Sequence, residues 1–137
     1  MINAGRAGET TAEALARLDR EVLEKDPLIV IVELGGNDFL QQVPREQTFA
    51  NLDRIVERIQ ERGSMVVLVG VTSALLWGDT ADAEFRRIAR TRRAAFVPNI
   101  LAGILDDSSL KSDGIHPNDA GYEKIARRIY EAVKPLL

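Results

Sequence analysis

The sequence predicts an α/β fold, with helices layered on both faces of a mostly parallel sheet. Three observations support this class. Helical and strand-like patterns alternate along the 137 residues, two strand-like segments are uninterrupted apolar runs, and no repeat, low-complexity tract or interdomain linker interrupts them. Alternation of this kind is typical of a layered sandwich around a parallel sheet. Uninterrupted apolar runs are typical of parallel strands that are buried on both faces.

The first predicted helix opens at a capping box formed by Thr10 and Glu13. Its apolar residues fall on one stripe, and the helix is expected to run to about Lys25. Pro27 then breaks the helix. The run Leu28–Val32 follows as the first predicted strand and is expected to be buried on both faces.

The middle of the chain repeats this order. Apolar residues at helical spacing predict a second helix over residues 49–59, stopped by Gly63. The run Met65–Val69 predicts a second buried strand. A third helix is predicted over residues 81–92, with a short strand over residues 95–97.

The chain closes with a predicted helix from about Asp119 to Lys134. Its apolar residues recur at helical spacing, which predicts one inward-facing stripe. The residues expected on that inner face are Tyr122, Ile125, Ala126, Ile129 and Val133.

Composition excludes several classes of function. With 18 basic and 21 acidic residues the formal charge is -3, which argues against nucleic acid as the main partner. The absence of cysteine excludes disulfides, thiolate metal sites and a cysteine nucleophile, and a single histidine makes a zinc or di-iron site improbable. No apolar run approaches the roughly 20 residues of a membrane span.

Three loops carry residues suited to acyl chemistry. In parallel α/β sheets, reactive groups gather at the carboxyl ends of the strands. One loop places Gly8 before the first helix, a second places Asn37 after the first strand, and a third places Asp113 three residues before His116. A backbone N–H, a side-chain amide and an Asp–His pair are the parts needed to hold an oxyanion and move a proton.

These loops resemble three sequence blocks of the SGNH hydrolases, also called GDSL esterases/lipases. The blocks are Gly8 after Asn3-Ala4-Gly5, then Gly35-Gly36-Asn37-Asp38, then Asp113-Gly114-Ile115-His116-Pro117. The chain is most similar to the bacterial acyl-thioesterase/lysophospholipase/arylesterase branch. The resemblance covers essentially the whole chain and implies one domain, a three-layer α/β/α sandwich around a flavodoxin-like sheet.

The resemblance also implies roles for these residues. Asp113 would orient His116, the general base and acid, while Gly8 N–H and the Asn37 side-chain amide would form the oxyanion hole. The substrate would be a small acyl ester or thioester, and no metal or cofactor is expected. The apolar residues expected to line an acyl pocket, or alternatively to cover the core, are Phe39, Leu40, Leu75 and Trp77.

The family's fourth block, a Gly-Asp-Ser that carries the nucleophile, does not occur in these residues. By resemblance, Met1-Ile2-Asn3 corresponds to the end of the family's second strand. The expectation is therefore an N-terminally truncated domain that lacks the family's first βα unit, on the order of 30 residues. Ser73 and Ser112 are not expected to replace the missing serine, because neither lies on a tight strand-to-helix turn.

Three interpretations of function follow from this sequence. The chain is part of a serine esterase that is inactive as written, a non-catalytic relative that keeps the fold for binding or assembly, or a carbohydrate O-acetylesterase of the same superfamily. The gap left by the missing strand is expected to leave the chain alone poorly folded, self-associated or open to strand complementation. Localisation stays open: cytoplasmic as written, or periplasmic or secreted if a signal peptide was lost.

Overall fold

A computed structural model describes residues 1–72 and 79–137. Its sheet has three parallel strands in the order β1 (Ile29–Glu33), β2 (Met65–Val69) and β3 (Ala95–Val97). Ile29 is in register with Met65, and Val67 with Ala95. All three strands therefore end at the same edge of the sheet, where the loops that follow them lie.

Helices cover both faces of this sheet, so the predicted three-layer α/β/α architecture is confirmed. The five helices in the described residues are α1 (Thr11–Glu21), α2 (Gly36–Leu40), α3 (Arg45–Glu61), α4 (Asp79–Arg92) and α5 (Asp119–Val133). The first, third and fourth pack on one face around a core that includes Leu52, Phe85 and Leu68. The last packs on the other face, where Ile125 meets Val67 and Val69.

Local capping agrees with the sequence at both ends of the chain. The Thr10 hydroxyl accepts the Glu13 N–H while the Glu13 carboxylate accepts the Thr10 N–H, as the predicted capping box requires. The helix is shorter than predicted: it ends at Glu21, and a 3₁₀ turn over Leu23–Lys25 completes the segment. Asn118 caps α5 by accepting the Gly121 N–H at 3.1 Å.

Two further expectations about helices are wrong. Residues 35–38 were expected to form a loop, but α2 begins at Gly36, one residue after Gly35 adopts a φ of +108°. On α5, Tyr122 is 54% exposed and Ala126 is also exposed, so the inner face is narrower than the apolar stripe. The apolar stripe of α5 is therefore wider than the part of the helix that packs on β2 and β3.

The expected burial of the first strand on both faces is also wrong. Val32 is buried against the helices of the α3 face, but Ile31 on the opposite face is 40% exposed. Its register partner Val67 is fully buried. Ile31 is more exposed than Val67 because α5 packs mainly on β2 and β3 and does not cover β1.

Candidate active site

The loop before α1 presents one backbone donor to solvent. Gly8 has a φ of +76°, a conformation that favours glycine, in a turn closed by the Glu9 N–H donating to the Arg6 carbonyl at 3.4 Å. Gly8 is exposed, and no hydrogen bond within the described residues uses its N–H. This N–H is therefore available to a ligand.

A buried ion pair anchors the same loop to α1. The Arg17 guanidinium donates to both Glu9 carboxylate oxygens at 2.5 Å and to the Ala4 carbonyl at 2.7 Å. Arg17 and Glu9 are only 10% and 6% exposed. The hydrogen bond to Glu9 raises the pKa of Arg17 above its ordinary value. Because the two charged side chains are so little exposed to solvent, their hydrogen bonds fix the path of the chain around Gly8.

Two side-chain amides, one in α2 and one at its C-cap, bind this loop. The Asn37 Nδ2 donates to the Glu9 carbonyl at 3.0 Å, and the Gln41 Nε2 donates to the Gly8 carbonyl at 3.0 Å. Asn37 and Gln41 are four residues apart and so lie on one helix face. An amide nitrogen carries two hydrogens, so Asn37 keeps a second N–H near Gly8.

Asp38 fixes α2 against the start of α1. Its carboxylate is fully buried and accepts the Thr11 N–H at 2.9 Å, the Thr11 hydroxyl at 2.6 Å and the Thr48 hydroxyl at 3.3 Å. A carboxylate is stabilised at a helix N-terminus by the unpaired N–H groups there. Asp38 therefore acts as a structural acid that holds Asn37 beside the Gly8 loop.

Asp113 and His116 form a hydrogen-bonded pair in the loop before α5. The Asp113 Oδ2 lies 2.7 Å from the His116 Nδ1, while its Oδ1 accepts the N–H groups of Ile115 and His116 at 2.8 Å each. Those two backbone bonds, followed by the imidazole, lower the pKa of Asp113 to about 2. The carboxylate is therefore ionised near neutral pH and can only accept hydrogen bonds there.

The base of this loop is closed by the backbone. Lys111 pairs with Pro117, and the Ser112 N–H donates to the His116 carbonyl at 2.9 Å. The Ser112 hydroxyl also donates to that carbonyl, at 3.2 Å, rather than to the imidazole. The Ser112 hydroxyl is therefore bound to the backbone of its own loop.

The predicted site residues therefore fall into two pairs. Gly8 lies with Asn37, and Asp113 with His116, while no hydrogen bond in residues 1–72 and 79–137 joins one pair to the other. Phe39 is partly buried and Leu40 is 57% exposed, both on α2. Ser73, Leu75 and Trp77 lie outside the described residues.

Sequence reasoning missed the residues that hold the Gly8 loop, among them Glu9, Arg17 and Gln41. Gln41 follows Asn37 by one helical turn, a signal that becomes visible only once α2 is recognised as a helix. Among the described residues, no group of three or more His, Cys, Asp or Glu could hold a metal ion. No described helix is both long and apolar enough to cross a membrane.

Comparison with known proteins gives consistent matches along the chain. A family model, the GDSL-like lipase/acylhydrolase family, matches residues 1–124. Esterase TesA of Pseudomonas aeruginosa is 32% identical over all of this chain and 71% of its own length. Thioesterase 1/protease 1/lysophospholipase L1 of Escherichia coli is 28% identical over all of this chain and 68% of its own length. A crystal structure of TesA, 32% identical, superposes with a TM-score of 0.87 over 99% of this chain and 78% of that one.

Proposed function

Because this chain belongs to the GDSL-like lipase/acylhydrolase family, we propose that its fold serves the hydrolysis of carboxylic esters or thioesters by a serine-esterase mechanism. The substrates proposed are aryl esters, lysophospholipids and acyl thioesters. Relatives named as an esterase and as a thioesterase/lysophospholipase support this substrate class. No metal or cofactor takes part in the mechanism.

The observation that carries the proposal is the 2.7 Å hydrogen bond between Asp113 and His116. An ionised carboxylate only accepts hydrogen bonds, so the imidazole proton sits on Nδ1 and Nε2 is left as the base. Nε2 takes the proton of a serine hydroxyl as that oxygen attacks the acyl carbonyl. It returns the proton to the leaving alkoxide or thiolate when the ester or thioester bond breaks. Water, activated by the same nitrogen, then releases the acid.

Gly8 and Asn37 are the proposed oxyanion hole. The unpaired Gly8 N–H and the second Asn37 N–H lie in one bonded cluster, supporting a shared target for both donors. Arg17 and Asp38 hold that cluster rigid before substrate arrives. One such donor typically contributes about 3 kcal/mol to transition-state stabilisation, because it needs no reorganisation during the reaction.

The Gly-Asp-Ser block that would carry the serine nucleophile does not occur in this sequence. We therefore expect no turnover of p-nitrophenyl acetate or butyrate by the chain alone above the background rate. A His116→Ala variant serves as the matched control. Robust hydrolysis by the chain that His116→Ala abolishes would contradict the expected inactivity, since one of its own serines would then be the nucleophile.

A second assay tests the hydrolytic site itself. The chain is mixed with the complementing segment, defined as a strand–helix peptide that carries the Gly-Asp-Ser block absent from this sequence. We expect turnover to appear, to be lost in His116→Ala, and to fall about 10²-fold in Asn37→Ala. A bound complex without turnover would instead favour a non-catalytic binding protein. Selective release of acetate from acetylated xylan would favour a carbohydrate O-acetylesterase.

A further inference from the structure

The side chains of Asp113 and His116 are both largely exposed, so burial does not fix their positions. Asp113 is 54% exposed and His116 is 63% exposed. They lie in the His116 loop, defined as residues 112–117, in which Pro117 is the only buried residue. A catalytic group must be held within about 0.5 Å of its productive position. The contacts that close the two ends of this loop therefore determine where the imidazole lies.

Asn118 closes the loop with its backbone and its side chain together. It donates hydrogen bonds to the carbonyls of three consecutive residues that precede the loop. Its backbone N–H donates to the Leu110 carbonyl at 2.9 Å. Its side-chain Nδ2 donates to the Ser109 carbonyl at 2.8 Å and to the Lys111 carbonyl at 3.3 Å. Every N–H hydrogen of Asn118 is thus used to hold this one short segment.

The acceptor atoms of Asn118 join the same point to α5. Its Oδ1 accepts the Gly121 N–H at 3.1 Å, and its backbone carbonyl accepts the Tyr122 N–H at 2.8 Å. The side chain therefore has two separable roles: Oδ1 caps the helix, and Nδ2 fastens residues 109–111 to the start of that helix. A serine, threonine or aspartate at this position could cap α5, but none of them can donate two further hydrogen bonds.

We propose that Asn118 is a positioning residue for His116. Its Nδ2 bonds hold the His116 loop against the start of α5 and so set the place of the imidazole relative to the rest of the site. Within the described residues, no hydrogen bond links Asn118 to Asp113 or to the imidazole. Loss of the Nδ2 bonds should therefore displace the Asp113–His116 pair as a unit rather than break it. The inference rests on the proposed function in one respect, the role of His116 as the base.

Three substitutions separate this role from helix capping. Serine and aspartate cap helices about as well as asparagine, so Asn118→Ser and Asn118→Asp keep the cap and remove both Nδ2 donors. Asn118→Ala removes the cap and the donors together. Ser109→Ala is the matched control in the neighbouring segment, because the Ser109 hydroxyl donates to the Asp107 Oδ1 at 2.6 Å and takes no part in binding Asn118.

Amide hydrogen exchange followed by NMR tests the role without an ester. The chain is measured with the complementing segment present. In Asn118→Ser and Asn118→Asp we expect the Ser112 amide, which donates to the His116 carbonyl at 2.9 Å, to exchange about tenfold faster. The Gly121 amide should change little in both, because its cap is kept, and should exchange faster in Asn118→Ala. Wild-type protection of Ser112 in the two capped variants would overturn the proposal and leave Asn118 as a helix cap alone.

The kinetics of the complemented enzyme distinguish positioning from a general loss of structure. With p-nitrophenyl butyrate we expect Asn118→Ser to lower kcat about tenfold and to change KM less than twofold, because a displaced base slows the chemical step. The pH midpoint of kcat should not move, since Asp113 still accepts the imidazole proton. A loss confined to KM, or an equal loss of kcat in Ser109→Ala, would contradict the positioning role.

Positioning and hydrolysis can fail independently in these experiments. Faster Ser112 exchange in Asn118→Ser, with no turnover by the complemented wild-type chain, would support the control of the loop by Asn118 and contradict the proposed hydrolysis. Turnover that is lost in His116→Ala but unchanged in Asn118→Ser would support the hydrolysis and overturn the role of Asn118.

Discussion

At the scale of the residue, Asp113 is a carboxylate held by three donors although it is 54% exposed. The N–H groups of Ile115 and His116 contribute most to its low pKa, and the imidazole adds to them. All three hydrogen bonds lie within four residues, so this short loop alone lowers the pKa of Asp113. This locality explains why the spacing Asp-x-x-His, together with the other two sequence blocks, could indicate the pair.

The carboxyl group of Asp113 is expected to titrate at unusually low pH. In an NMR titration we expect Asp113 to have a midpoint of about 2, below its ordinary 3.8. Because the folded pKa is lowered, the bonds of Asp113 stabilise the loop above about pH 4, and this stabilisation is lost as pH falls from about 4 to about 2.

His116→Ala is the informative variant for the same titration. It removes the ring but keeps both backbone donors, so the Asp113 midpoint should rise yet stay below 3.8. Asp113→Asn removes the NMR signal of the Asp113 carboxyl group and so assigns it. A wild-type midpoint at or above 3.8 would show that the loop does not hold its carboxylate as described.

At the scale of the element, α5 determines where the loop of His116 sits. A methyl group on Gly121, in the first turn of α5, would collide with the Leu110 carbonyl and lie 2.8 Å from the Pro117 Cβ. The helix can approach residues 110–117 this closely only because position 121 lacks a side chain.

Gly121→Ala is therefore expected to lower the free energy of unfolding by about 1–3 kcal/mol through overpacking. At an unhindered helix position the same change would instead stabilise the protein by up to about 1 kcal/mol. Urea unfolding, with the complementing segment at one fixed concentration, measures the effect. Gly114→Ala is the control, because nothing lies within 4 Å of a methyl group there. A stabilised Gly121→Ala variant would contradict the described packing.

The elements that sequence predicted well are those whose signal is local. Met65–Val69 agrees with β2 residue for residue, and the Thr10 capping box opens the first helix, because an apolar run and a cap depend on adjacent residues. Helix α2 was missed because Gly-Gly-Asn-Asp has the composition of a turn. Its partners, Thr11 and Thr48, become neighbours of Asp38 only in the folded chain.

Only one of the two residue pairs in the candidate site has a local sequence signal. Asp113 and His116 are three residues apart, whereas Asn37 and Glu9 are 28 apart and meet only through the fold. Asn37 was correctly predicted to follow a strand. No sequence signal indicated that its side-chain amide donates a hydrogen bond to the Gly8 loop. Burial of β1 was misjudged because an apolar run does not report which neighbours a strand has.

At the scale of the whole molecule, the sheet is covered unevenly. Both faces of β2 lie within a core, while β1 is an edge strand among the described residues and has an exposed Ile31. Much of the free energy of folding comes from burying apolar surface, so an uncovered β1 lowers the stability of the strand that α2 and Asn37 follow. Stability and site geometry are thereby linked through one strand.

This link predicts that stability depends on the concentration of the complementing segment. A ligand that binds only the folded chain adds RT ln(1 + [L]/Kd) to the free energy of unfolding, about 2.7 kcal/mol at one hundred times Kd. We expect the urea midpoint to rise with segment concentration along this curve, and to rise much less for Ile31→Lys, which places a charge on the exposed apolar face of β1. A scrambled segment should leave the midpoint unchanged. A chain whose midpoint is high and insensitive to the segment would show that β1 needs no further partner.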